Sequence, residues 1–214
     1  MASNVGTWVQ GVGEKWLMAE LTRSPLLMSL IETGATLPML ILSMPGGAIA
    51  DIVDRRRMLL LTQTWMLLAA SAMAILSALH MVTPGVLITM SLLLGVGAAL
   101  NAPAWQASVP DLVPKDQIAA GVALNSAGFN VSRALGPALG GLVVGWFGAT
   151  WAFTLNAISF IGVLVVLKSW KRPPVTTDLP AERFSAAMKV GLRYTRHRTA
   201  LQVAITVDRR GGIG

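Results

Sequence analysis

Four polar side chains stand in stretches otherwise suited to hydrocarbon: Glu14, Glu32, Asn130 and Arg133. An ionisable group near the centre of a bilayer costs about 2.5–3.5 kcal/mol on insertion scales, so such a residue is expected to have a function. Two carboxylates, an amide and a guanidinium offer ion pairing, proton holding and the binding of a polar solute. For Arg133, beside Ser132 and near Asn130, two roles stay open. It is a cavity-facing group for substrate or coupling, or a structural partner of Glu32 or Glu14. Glu32 either carries a coupling proton or lies hydrated near the outer interface. Enzymatic chemistry is not expected: there is no cysteine, His80 and His197 are far apart, and no nucleophile–base or metal-ligand spacing occurs. No cofactor and no metal are anticipated.

The elements that position these groups follow from hydropathy. Hydrophobic residues make up 54% of the chain and charged residues 13%, against roughly a quarter charged in a soluble domain. The net charge of +7 would suit nucleic acid. The basic residues, however, sit between and after apolar runs and form no solvated patch, so the expected partner is a lipid bilayer and not nucleic acid. No cleavable signal peptide is apparent.

A span needs about 20 mostly apolar residues, and six are read at 4–21, 26–50, from 58, from 85 to about 100, 118–147 and 151–167. The first carries Glu14, Lys15 and Glu20 and suits a cavity-lining helix trimmed at its start. Residues 58–110 hold no Asp, Glu, Lys or Arg and divide at His80-Met81-Val82-Thr83-Pro84. Residues 101–116, with Pro103, Pro110 and Pro114, read as a loop, and Gly148-Ala149-Thr150 as a turn.

Three regions result: a six-helix unit over 1–168, a cytoplasmic linker over 169–206 and an atypical tail over 207–214. In the linker Phe184, Met188 and Leu192 recur at helical spacing, with Lys189, Arg193 and Arg196 on other faces. That pattern suits a helix on the membrane surface or a solvated linker helix. Arg55, Arg56, Arg57, Lys115, Lys168, Lys171 and Arg172 fall on one side of a six-span scheme and Arg23 on the other. The positive-inside rule then puts both termini in the cytoplasm.

Two motifs stand out. Residues 45–57, Pro-Gly-Gly-Ala-Ile-Ala-Asp-Ile-Val-Asp-Arg-Arg-Arg, join two apolar runs by a tight charged link. Asp51 falls at a helix C-terminus, where its charge opposes the helix dipole, so it needs outside partners. Arg55 and Arg56 are placed to pair with Asp111 or Asp116, besides setting topology. In the fifth span Ser132, Gly136 and Gly140 repeat every fourth residue, as do Gly141 and Gly145, with Pro137 among them. Small residues at that spacing let helices pack backbone to backbone in lipid.

These residues resemble a known family. Gly47, Ala50, Asp51, Arg55 and Arg56 match the loop between the second and third helices of the major facilitator superfamily, with Ile49 for Leu, Ile52 for Arg and Asp54 for the second Gly. The Asp-Arg-Arg ending is similar to the branch of enterobactin exporters and macrolide efflux proteins. Gly136-Pro137-Ala138-Leu139-Gly140-Gly141 resembles the core of a motif associated with proton-coupled exporters. The resemblance implies an all-α membrane protein whose six transmembrane helices form one half of the major facilitator fold, a three-plus-three inverted repeat. Gly46-Gly47 and Gly140-Gly141, ending the second and fifth spans, suit that repeat.

It further implies a gate role for Gly47, Asp51, Asp54, Arg55 and Arg56, and proton-driven efflux of a small amphipathic drug or siderophore from the cell (inner) membrane. The partner would be a missing C-terminal half or a second copy. The alternative is a truncated membrane fragment that transports nothing, suggested by Val207-Asp208-Arg209-Arg210 where a further span would begin.

Overall fold

The computed structural model describes residues 2–170, without the side chains of Ala2, Asp51 and Ile52. The expected linker helix around Phe184, Met188 and Leu192 and the tail over 207–214 lie outside the described residues. Six helices follow in order: α1 (Ala2–Leu21), α2 (Pro25–Ile52), α3 (Arg55–Ala78), α4 (Pro84–Ser108), α5 (Ile118–Phe147) and α6 (Ala149–Ser169). Two 3-10 turns, Val109–Leu112 and Lys115–Gln117, join α4 to α5. Among the described residues there is no strand.

Helix starts have local causes. Ser24 and Thr83 precede α2 and α4, each with proline at the first helical position, where a missing N–H costs nothing. The Thr83 hydroxyl also accepts from the Val86 amide at 3.3 Å. Gly148, at φ +84°, makes the corner between α5 and α6 by itself, a left-handed position that favours glycine. Ala149 and Thr150 therefore belong to α6, not to the expected turn.

The expected loop over 101–116 is a second correction, because α4 continues through Pro103 to Ser108. Pro103 removes one helical hydrogen bond. Opening the backbone in hydrocarbon would leave several groups unpaired, so a membrane helix absorbs the proline. The helix yields only where Pro110 falls in the first turn of the 3-10 segment. Pro38 and Pro45 are accommodated inside α2 in the same way.

Among the described residues four helices are long and apolar enough to cross a membrane: α2, α3, α4 and α6. The other two, α1 and α5, carry Glu14, Asn130 and Arg133 and pack against each other, with α6 also against α1. Packing follows a three-plus-three exchange. The first helix of each triplet lies against the second and third helices of the other: α1 on α5 and α6, α4 on α2 and α3. The third helices, α3 and α6, meet each other.

The same exchange operates residue by residue. Gly34, Pro38, Gly46 and Ala50 form a buried stripe on α2, and Gly128, Ser132, Gly140 and Val144 repeat it on α5 at one constant offset. A Cβ on Gly46 would meet the Ala99 carbonyl of α4 at 3.5 Å; one on Gly140 would meet Val12 of α1 at 2.9 Å. Apolar clusters close the two ends of the bundle. Met18, Ile31, Met73, Leu87, Ala149 and Phe153 pack at one end, and Ala50, Met58, Leu59, Ala104 and Leu167 at the other.

Candidate functional site

The turn between α2 and α3 is built by Asp54. Its Oδ1 accepts from the Arg57 amide at 2.9 Å, an N-cap that starts α3 with a negative charge at the positive helix end. That start places Arg55 and Arg56 in the first helical turn. Arg55 Nη1 donates to the Ala107 carbonyl at 2.7 Å and to Asp111 Oδ2 at 3.3 Å. Arg56 pairs with neither Asp111 nor Asp116. Its Nε donates to the Leu167 carbonyl at 3.0 Å and its Nη2 to the Lys168 carbonyl at 2.8 Å. The last carbonyls of a helix lack intrahelical donors, so the two guanidiniums satisfy the ends of α4 and α6.

Within each glycine pair one member packs and the other is open. Gly46 is buried against α4, while a Cβ on Gly47 would meet nothing within 4 Å. Gly140 is buried against α1, and Gly141 is open in the same sense. Gly136 abuts Trp8 of α1 so closely that a Cβ there would overlap its side chain. Pro137 is exposed on the other face of α5. The side chain of Asp51, in the last turn of α2, lies outside the described residues.

The intramembrane polar groups separate into two environments. Glu14 is 5% exposed. Gln10 Nε2 donates to its Oε1 at 2.8 Å, and Ser91 Oγ to its Oε2 at 2.8 Å. Gln10 in turn accepts from Asn156 Nδ2 at 2.6 Å. Ser159 Oγ donates to the Asn156 side chain at 3.2 Å. One buried polar chain therefore runs from α6 through α1 to α4.

Glu32, by contrast, stands on an open face, paired with Lys15 of α1. Both side chains of that pair are more than half exposed. Asn130 is exposed and donates to the Ser126 carbonyl at 3.0 Å on its own helix. Arg133 is exposed, and among the described residues it pairs with neither Glu14 nor Glu32. Lys15 instead pairs with Glu32, and Glu14 is enclosed by the neutral donors Gln10 and Ser91.

Gln10, Lys15, Ser91, Asn156 and Ser159 were not foreseen as part of the site. Gln10 and Glu14 share one helix face four residues apart, a readable signal. Asn156 is the lone amide in an otherwise apolar span. Ser91 carried no signal, since a serine in a membrane helix usually bonds its own backbone.

A related polar contact occurs at the helix pair exchanged by the repeat. On α4, Asn101 Oδ1 accepts from Thr62 Oγ1 at 2.9 Å and Gln63 Nε2 at 3.2 Å, both on α3. Gly6 precedes Gln10 by one turn as Gly97 precedes Asn101, and both glycines lie tight against the facing helix. The α3–α4 contact is neutral; only the α1–α4–α6 contact holds a carboxyl group. No cluster of three metal-ligating side chains occurs among the described residues.

Comparison with known proteins agrees with this architecture. A family profile described as "transmembrane secretion effector", of the major facilitator type, matches residues 1–209. A staphyloferrin A transporter of Staphylococcus aureus is 30% identical over 206 residues, covering 94% of this chain and 51% of that protein. The multidrug efflux pump Tap of Mycolicibacterium fortuitum is 24% identical over 217 residues, covering 97% and 53% respectively. YfiS of Bacillus subtilis, an uncharacterised transporter of the major facilitator type, is 27% identical over 204 residues, covering 93% and 48%. The chain thus spans about half the length of these relatives.

Proposed function

Because the chain belongs to the major facilitator family of transporters, in the group described as transmembrane secretion effectors, we propose that it works as the N-terminal six-helix half of a proton-coupled exporter. Its cargo is a small amphipathic molecule, a drug or a siderophore. The observation that carries the coupling is Glu14: a carboxyl group 5% exposed, inside the bundle, held by Gln10 and Ser91 with no cation bonded to it among the described residues. Taking up or losing a proton there changes the charge of a group that ties α1 to α4, and through Gln10 to α6. Alternating access rocks one repeat unit against another about a site near the midplane, and those are the helices such a motion must address.

The rest of the reading rests on topology. Arg55, Arg56, Arg57, Lys115 and Lys168 lie at one end of the bundle and Arg23 at the other. By the positive-inside rule the first end is cytoplasmic, which puts both termini there and the protein in the cell (inner) membrane as a multi-pass exporter. A second six-helix unit, a C-terminal half or another copy, covers the open faces of α2 and α5. The Gly47–Arg56 motif, with Asp51 in it, acts as the gate toward that unit.

Proteoliposomes holding the chain together with its second six-helix unit, under an imposed pH gradient, test this reading. Two permanently charged probes, 1-naphthalenesulfonate and 1-naphthyltrimethylammonium, do not follow the gradient passively. Gradient-driven movement of at least one is expected, abolished by a protonophore and by Glu14→Gln, and kept in part by Glu14→Asp. Movement of neither probe, or full gradient-driven movement in Glu14→Gln, overturns the proposal.

A further inference from the structure

Glu14 is turned into the bundle, and Lys15 and Glu32 neutralise each other. Arg133 is left: exposed, near the middle of α5, and without an ion pair or hydrogen bond among the described residues. A guanidinium keeps its charge under all accessible conditions. At roughly 1.5 Å per residue it lies about 20 Å from either end of α5, too deep to reach water by extending along lipid. About two turns earlier on the same helix, Asn125 accepts from Trp105 Nε1 of α4 at 3.0 Å. That bond ties the beginning of α5 to the end of α4. Phe129, one turn from Arg133, is 48% exposed beside it.

A permanently charged fork with no counter-charge among the described residues, next to an exposed aromatic ring, is complementary to one kind of solute. We infer that the cargo is an amphipathic organic anion, its carboxylate or similar oxyanion head on Arg133 and its apolar body against Phe129. The guanidinium's planar donors match a two-oxygen head bidentately, which an ammonium does not do. This inference rests on the transporter reading above and narrows it: a lipophilic cation would meet like charge at Arg133, and Glu32 is already occupied by Lys15.

Equilibrium dialysis of the whole chain in lipid nanodiscs, with 1-naphthalenesulfonate and 1-naphthyltrimethylammonium, tests it. The anion is expected to bind at least about tenfold tighter than the cation. Arg133→Gln is expected to weaken the anion roughly tenfold to a hundredfold and to leave the cation unchanged or improved. Arg133→Lys, which keeps the charge and serves as the folding control alongside helical circular dichroism, is expected to retain part of the affinity. Preference for the cation, equal binding of both, or an unchanged anion affinity in Arg133→Gln overturns the inference while leaving the transporter reading standing. Binding of neither probe overturns both. Native mass in the same nanodiscs adds one more outcome: if Arg133→Gln splits a dimer and leaves anion affinity unchanged, the arginine is a subunit contact and the inference fails.

Discussion

Asn156 Nδ2 lies 2.6 Å from Oε1 of Gln10, and this one bond joins α6 to α1 next to the buried Glu14. Both amides are almost fully buried, at 1% and 2% exposure. Their partners are fixed by sequence-distant helices, so the bond is a property of the packed bundle.

If the amides hold the polar chain together, their substitutions must couple. Gln10→Leu and Asn156→Leu are each expected to lower stability by about 1 kcal/mol, the scale of interhelical hydrogen bonds in membranes. The double variant should cost less than the sum, because it leaves no buried amide unpaired. Denaturation of the detergent-solubilised chain, followed by circular dichroism, measures the cycle; strict additivity would sink the coupling.

The glycine pairs give a contrast within a single dipeptide. Gly140→Val drives a side chain into Val12 and the Val9 backbone and is expected to destabilise by about 1–3 kcal/mol, the usual cost of overpacking. Gly141→Val enters open space and should be near neutral to stability. On α2 the order is the same: Gly46→Val should be the more damaging and Gly47→Val the milder. Melting temperatures of the four variants check both pairs, and equal losses within a pair would contradict the packing.

The turn between α2 and α3 separates three neighbouring side chains. Asp54→Ala should cost about 1 kcal/mol through the lost N-cap, and Asp54→Asn less, because the amide oxygen also accepts. Arg56→Ala should cost about 1.5 kcal/mol, the low end for charged hydrogen bonds, since its site is only partly buried. It should also raise amide hydrogen exchange in the last turn of α6. Arg57, exposed, should be silent when changed to Ala. Hydrogen exchange that is the same in Arg56→Ala and Arg57→Ala would remove the latch on α6.

Charge reversal identifies the partner of Glu32. Lys15→Glu and Glu32→Lys are each expected to lower the yield of folded protein in the membrane, and the double reversal to restore most of it. Arg133→Glu combined with Glu32→Arg should rescue nothing, because these residues do not meet. Quantifying detergent-extractable, monodisperse protein decides between the pairs.

Much of the fold was legible because a bilayer leaves a chain few options. Once six apolar stretches and their basic flanks are read, helices follow, since every backbone group must be satisfied within its own span. The Ile118–Phe147 boundaries came directly from hydropathy and the glycine corner. Pro103 misled because proline is a strong breaker in water, and its effect is overridden where breaking exposes backbone to hydrocarbon. The site was less legible. Glu14 and Arg133 announce themselves by charge, but Ser91 is an ordinary membrane serine until α4 crosses α1 beside it.

The amino-acid order alone determined the elements, their family and the positions of the costly charges, because each depends on hydropathy, glycine spacing or a local motif. Tertiary packing decided the partners. Glu14 is buried among Gln10 and Ser91, Glu32 meets Lys15, Arg56 caps α6, and Arg133 stands exposed with no partner among the described residues. Those outcomes depend on which helices touch and on which turn of each is level with which, and the exchange of α1–α3 with α4–α6 sets both. A hydrogen bond or ion pair is short-ranged, so it responds to that crossing geometry and not to separation along the chain.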